Sequence, residues 1–194
     1  LFAAFKANNS TTTLTGNWTF NGGTFVGDSG TVNIAGNLIF NHDSNGRGAF
    51  TAGTSTVNFN GNSSQSISNN STFTFFNLTD SNVTQPLTLN NSFAVNGSLN
   101  VNGANAILAP AAATVISGTG TLTGTGTARV TRIAATADFS SQYTITNKTL
   151  TNLTVEYIGT AAQVLSAITY GPLKINNGNG VNLAAGTSTV GGLL

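Results

Sequence analysis

The sequence predicts an all-β fold, a parallel β-helix (β-solenoid) with coils of irregular length. Three observations carry that prediction. Apolar residues alternate with Thr, Asn and Ser over short stretches; Asn-Gly steps punctuate those stretches; and one long segment of the chain recurs. An antiparallel β-sandwich is the alternative, because short strands at close spacing suit both architectures.

The alternation is plain in Thr56-Val57-Asn58-Phe59, Leu87-Thr88-Leu89, Val95 to Val101 and Leu150 to Tyr157. A period of two puts one set of side chains inside and the other outside. Asn-Gly at 21-22, 45-46, 60-61, 96-97, 102-103, 177-178 and 179-180 supplies residues that tolerate positive φ at corners. No segment has a convincing helical period, and Leu1 to Lys6 reads as a cap, a strand or the remnant of a preceding unit.

The recurrence decides between the two architectures. Thr56 to Gly61 with Gln65 and Ile67 returns as Thr154 to Gly159 with Gln163 and Leu165. Farther on, Leu78 matches Leu173, Leu87 and Leu89 match Val181 and Leu183, and Val95, Gly97 and Leu99 match Val190, Gly192 and Leu194. A partial upstream copy sets Leu14, Trp18 and Phe20 against Leu89, Phe93 and Val95. The chain therefore reads as one solenoid domain, 1–194, with an internal repeat of about 95 residues (about 54–100 and 151–194, partial copy 11–40). At about 20–25 residues per coil and about 4.8 Å per stacked strand, eight or nine coils make a rod roughly 40 Å long. The first residue is Leu and the last copy stops inside a unit, which reads as a processed or trimmed piece of a longer chain.

Composition narrows the function classes. Thr (32), Asn (27), Gly (23) and Ser (17) make 99 of the 194 residues, whereas charged residues are 6% against about 25% in ordinary domains. A net charge of +1 cannot neutralise a phosphate backbone, so no nucleic-acid partner is expected. With 39% apolar residues the chain buries a core rather than staying disordered. There is no cysteine, hence no disulfide or thiolate site, and no apolar run of about 18 residues for a transmembrane segment.

Residues able to do chemistry are few. The acids are Asp28, Asp43, Asp80, Asp138 and Glu156, scattered along the chain, and the single histidine is His42. A paired-carboxylate site would need stacking to bring two acids together. Glu156, between Val155 and Tyr157, should point outward as a solvated residue. Asn41 to Gly48 reads as an Asx-type turn and lacks the closing Glu of a calcium loop. Arg129 and Arg132, three apart, fall on opposite faces. Gly118 to Gly126 opens no helix and so cradles no phosphate. Thr119, Thr121, Thr123, Thr125 and Thr127 resemble an ice-binding threonine array, which needs constant coil length. The inward ladder expected from parity comprises Val57, Phe59, Ile67, Leu78, Leu87, Leu89, Val95, Leu99, Val155, Tyr157, Leu165, Leu173, Val181 and Leu183.

Four stretches resemble the repeats of large exported bacterial β-helical, adhesin-like surface proteins. They are GTFVGDSGTVNIAGNLIF, FTAGTSTVNFNGNSSQSIS, FFNLTDSN with LTLNNSFAVNGSLNV, and LTNLTVEYIGTAAQVLSAITYGPLKINNGNGVNL. The resemblance covers most of 50–100 and 150–194 and, more loosely, 11–40. It implies a structural or adhesive role at the cell surface or in an extracellular fibre, with no catalytic residue, cofactor or metal. The implied partners are neighbouring repeats, further copies of the chain, or surface polysaccharide. Glu156 stands where its counterpart is Asn58, and Gly171-Pro172 replaces Phe76-Asn77.

Two further readings follow from the residues. Asn-x-Ser/Thr recurs, and Asn17, Asn62, Asn77, Asn82, Asn96, Asn147 and Asn152 are candidate glycosylation sites if the source modifies exported proteins. The second function class is a carbohydrate-binding module or polysaccharide-degrading β-helix enzyme. Trp18, Tyr143 and Tyr170 are its candidate outer platforms, although Trp18 aligns with the apolar Phe93 and fits the core better.

Overall fold

A computed structural model describes residues 4–134 and 136–192 and shows an all-β solenoid of about 9 turns. Every strand pair is parallel, and the coils lay their strands on three faces in a fixed cycle, interrupted once on the third face between Val130 and Asn147.

On the first face, β2 (Thr11–Leu14), β5 (Thr31–Ile34), β8 (Thr56–Phe59), β11 (Asn77–Asp80), β14 (Ser98–Val101), β17 (Thr121–Gly124) and β19 (Asn147–Lys148) form a seven-stranded sheet. On the second, β3 (Trp18–Asn21), β6 (Leu38–Asn41), β9 (Gln65–Asn69), β12 (Leu87–Leu89), β15 (Ile107–Pro110), β18 (Thr127–Val130), β20 (Thr154–Tyr157) and β23 (Leu173–Ile175) form an eight-stranded sheet.

The third face is broken into three short sheets. These are β1 (Ala4–Lys6) with β4 (Thr24–Val26) and β7 (Ala49–Thr51); β10 (Thr74–Phe75) with β13 (Phe93–Val95) and β16 (Ile116–Ser117); and β21 (Gln163–Leu165) with β24 (Val181–Leu183). The pair β22 (Thr169–Tyr170) and β25 (Thr189–Val190) takes the first-face place in the last coils but is not joined to β19.

Coil length varies without loss of strand register. Leu38 lies beside Ile67, 29 positions on, whereas Val155 lies beside Leu173, 18 positions on. The extra residues go to the corners, chiefly the loop after β6 and the segment after β18. That second segment holds the one helix among the described residues, α1 (Asp138–Gln142), which corrects the expectation of none. Five residues are too few to carry a visible period of 3.6. Phe139 on α1 stacks on Tyr143 at a centroid distance of 5.0 Å, filling the third face where the sheet is interrupted.

The core is a set of inward columns. Val32, Val57, Leu78, Leu99 and Leu122 stack on the first face; Leu87, Leu108, Ala128, Val155 and Leu173 on the second. Phe25, Phe50, Phe73, Phe75 and Phe93 continue this packing along the third, in successive contacts of 4.7 to 5.3 Å. Edge-on and tilted ring pairs at this range add to the area they bury. Outside, amides stack too: Asn58 Nδ2 donates to Asn33 Oδ1 at 2.9 Å.

Most of the expected ladder is inside, but its last members are not. Val181 is half-buried and Leu183 is 75% exposed, because no described strand stacks beyond β24. Leu1 to Ala3 and Leu194, named above, lie outside the described residues.

One corner shows why particular residues are needed. Asn8 (φ 50°), Asp28 (φ 47°) and Gly53 (φ 59°) stand one above another before β2, β5 and β8, all left-handed. Ser29 N donates to Asn8 O and Thr54 N to Asp28 O, so each coil takes the shape of the one beneath it. Asn, Asp and Gly are the residues that enter this region at least cost.

The two copies of the repeat lie on different faces. Thr56 to Phe59 is a first-face strand, whereas Thr154 to Tyr157 is a second-face strand. Each later match is displaced in the same sense: Leu78 to Leu173 from first to second, and Leu89 to Leu183 from second to third. A spacing of about 95 residues thus covers four coils and one further face.

Candidate functional surfaces

Among the described residues no hydrogen bond or ion pair joins two of the five acids, and no group of three potential metal ligands forms. The His42 loop folds as the predicted turn: Asp43 Oδ1 accepts Asn45 N and Arg47 N at 2.9 Å, and Arg47 Nε meets Asp43 Oδ2 at 2.8 Å. These bonds hold the Asp43 carboxyl below its usual range. Gly118 and Gly124 shape corners rather than a phosphate loop. Thr119 to Thr127 run around the corner from β17 to β18 and so make no single flat array.

Glu156 differs from its expectation. Its side chain does leave the core face, yet it is covered (2% exposed), because the coils on either side place a cation beside it. Arg129 Nε lies 2.9 Å from Oε2 and Lys174 Nζ 2.8 Å from Oε1, in the register Arg129, Glu156, Lys174. Burial alone raises the carboxyl's pKa, but the bonds and charges of Lys174 and Arg129 outweigh it and hold Glu156 ionised below its usual range. The residue closes a seam between coils.

Two corners carry a buried polar clamp that the repeat placed twice. Gln65 Nε2 donates to Ile34 O (2.8 Å) and Gly36 O (2.7 Å), while its Oε1 accepts Gly61 N and Asn82 Nδ2. Gln163 does the same with Val130 O, Arg132 O, Gly159 N and Asn177 Nδ2. Gln142, outside the repeat, closes a third corner through Ala111 O, Thr114 O and the Thr131 and Arg132 amides. Buried main-chain groups that turn away from a ladder need such partners.

Asp80 sits beside the first clamp and inside the core column, between Phe59 and Val101. It is fully buried, its Oδ1 accepts Asn82 N at 3.1 Å, and its Oδ2 has no partner. Burial raises its pKa to about 7 against the weaker lowering effect of that one amide.

The aromatic platforms are absent from the outer surface. Trp18, Tyr143 and Tyr170 are all buried, which corrects the outward reading of the two tyrosines. Tyr143 Oη donates to Arg129 O, and Tyr170 Oη lies 2.9 Å from Tyr157 Oη and donates to Ser166 O. Burial pushes both phenols above their usual range.

The candidate glycosylation sites differ in access. Asn82 is buried, with its amide nitrogen given to Ser63 O and Gln65 Oε1. Asn77 is half-buried and bonded to Thr56 Oγ1 and Ser98 N. Asn17, Asn62, Asn96, Asn147 and Asn152 are exposed.

Where the first-face sheet stops, between β19 and β22, lies a cleft of about 400 Å³ lined by Lys148, Thr149, Leu150, Thr151, Thr169, Tyr170, Gly171 and Gly191. No helix among the described residues is long and apolar enough to cross a membrane. The chain matches no protein-family model, no curated protein and no solved structure, so its class is the one its fold defines, a parallel β-solenoid built on a β-helical repeat.

Proposed function

We propose that this chain is a non-enzymatic structural and adhesive repeat protein of the cell surface or extracellular space, working as a stiff rod or fibre subunit. One observation carries the reading: a sheet of eight parallel strands runs unbroken along the second face from Trp18 to Ile175. Parallel strands with evenly spaced hydrogen bonds, corners clamped by buried glutamines and a continuous apolar core make an object that resists bending and proteolysis. The scarcity of charge supports close approach to neighbouring repeats, further copies of the chain or uncharged polysaccharide, and sugars on the exposed asparagines would moderate that contact.

Immunogold electron microscopy of the source cells tests this. The expected result is label on the outer surface, on projecting or fibrous material. Label confined to the cell interior would overturn the proposal.

A further inference from the structure

The cleft beside Lys148 has the makings of a ligand site. β19 and β22 occupy successive places on the first face yet are not paired, so the sheet opens there. It closes again at the corner, where a Cβ on Gly171 would collide with the carbonyl oxygens of Leu150 and Thr151. The opening is a wedge of about 400 Å³, within the range of about 300–1,000 Å³ typical of small-ligand sites.

Lys148 is placed oddly for a cation. It pairs with Leu122 and so continues the inward apolar column of the first face. Its side chain is half-buried, and Nζ donates to Ile145 O at 2.6 Å. The ion pairs among the described residues are Arg47 with Asp43, and Arg129 and Lys174 with Glu156, which leaves Lys148 without an anion. An ammonium has three donors and one carbonyl takes only one of them. A partly desolvated charge without a counter-charge is costly, and a carboxylate in the cleft would relieve that cost. The remainder of the lining mixes hydroxyls and glycine backbone (Thr149, Thr151, Thr169, Gly171 and Gly191) with the apolar Leu150 and the Tyr170 ring.

We propose that this cleft binds an acidic oligosaccharide, the carboxylate of a uronic acid meeting Lys148 Nζ and the ring hydroxyls meeting Thr149, Thr151 and Thr169. A sugar suits the wedge better than a peptide, because the cleft closes at Gly171 before an extended chain could pair along β19. Recognition would rest on charge and hydroxyls, since the Tyr170 hydroxyl is committed to Ser166. The inference stands on the cleft alone and is independent of the rod reading.

Titration of the folded chain with a galacturonate hexamer and, separately, with a neutral hexose hexamer and a glutamate hexapeptide tests it, read by calorimetry and by amide shifts. The acidic oligomer is expected to bind, to shift Thr149, Thr169 and Gly171, and to weaken with added salt; the neutral one is expected to bind at least tenfold more weakly. Lys148→Gln should lower affinity at least tenfold and Lys148→Arg should retain most of it. If the glutamine variant fails to fold, the Thr149→Val/Thr169→Val pair replaces it, with at least a fivefold loss expected. Equal binding by the neutral oligomer, undiminished binding by the variant, shifts elsewhere, no binding, or equal affinity for a glutamate peptide would each overturn the assignment.

Discussion

Asn177 Nδ2 donates to Gln163 Oε1 at 2.9 Å, and Asn82 Nδ2 makes the same bond to Gln65 Oε1 at 3.1 Å, each pair joining one coil to the next. Gln65 satisfies two carbonyls, one amide N–H and one side-chain amide at a corner that has no ladder of its own. Gln65→Leu keeps the bulk but orphans those groups, at about 1–3 kcal/mol for each that water cannot reach. The expected cost is about 3 kcal/mol or more by chemical denaturation. Combined with Asn82→Ala, the loss should fall short of additive by about 0.5–3 kcal/mol, which a double-mutant cycle measures.

Asp80 makes stability fall as pH rises. Its folded pKa, about 7, lies above the value of 3.8 it takes when unfolded, so the folded state holds the proton more tightly. Stability from this group is complete below about pH 4 and is lost progressively up to about pH 7, on the order of 4 kcal/mol in all. Glu156 and Asp43, with lowered pKa values, act in the opposite sense at lower pH. Denaturant midpoints should therefore decline from pH 5 to pH 7, and Asp80→Asn should flatten that decline and raise stability at pH 8. An unchanged slope in the variant would refute the assignment.

Two glycines should respond in opposite ways to alanine. Gly124 has φ 141°, and a Cβ there would run into the Val101 carbonyl oxygen, so Gly124→Ala is expected to cost several kcal/mol or to prevent folding. Gly16 lies outside the left-handed region with nothing within 4 Å, and Gly16→Ala should be neutral or stabilising by about 0.5 kcal/mol. Thermal unfolding of the two variants side by side checks this.

Expression in a glycosylating host should divide the seven candidate asparagines by access. Asn62 and Asn152 are exposed and Asn82 is buried with its nitrogen engaged. For sugar added to the folded chain, peptide mapping should find it at the first two and none at Asn82.

Parity along each strand was enough to place Val57, Phe59, Leu78, Val155 and Tyr157 inside, and the repeat marked Gln65 and Gln163 as equivalents. The same parity, carried two residues past Leu78, puts Asp80 in the core; its charge argued the other way. What local pattern could not supply was the pairing of coils. Arg129 and Lys174 cover Glu156 from 27 positions before and 18 after, and those distances depend on how many residues each corner absorbs. Likewise Tyr143 and Tyr170 occupy places set by the interruption around α1, which has no counterpart elsewhere among the described residues.

The displacement of matching motifs by one face bears on what surrounds the protein. A chain that kept this spacing would turn each successive unit by a third of a revolution, like treads on a spiral stair. Whatever one unit presents to the north, the next presents to the south-east and the third to the south-west, so neighbours approaching from any bearing would meet the same features at different heights.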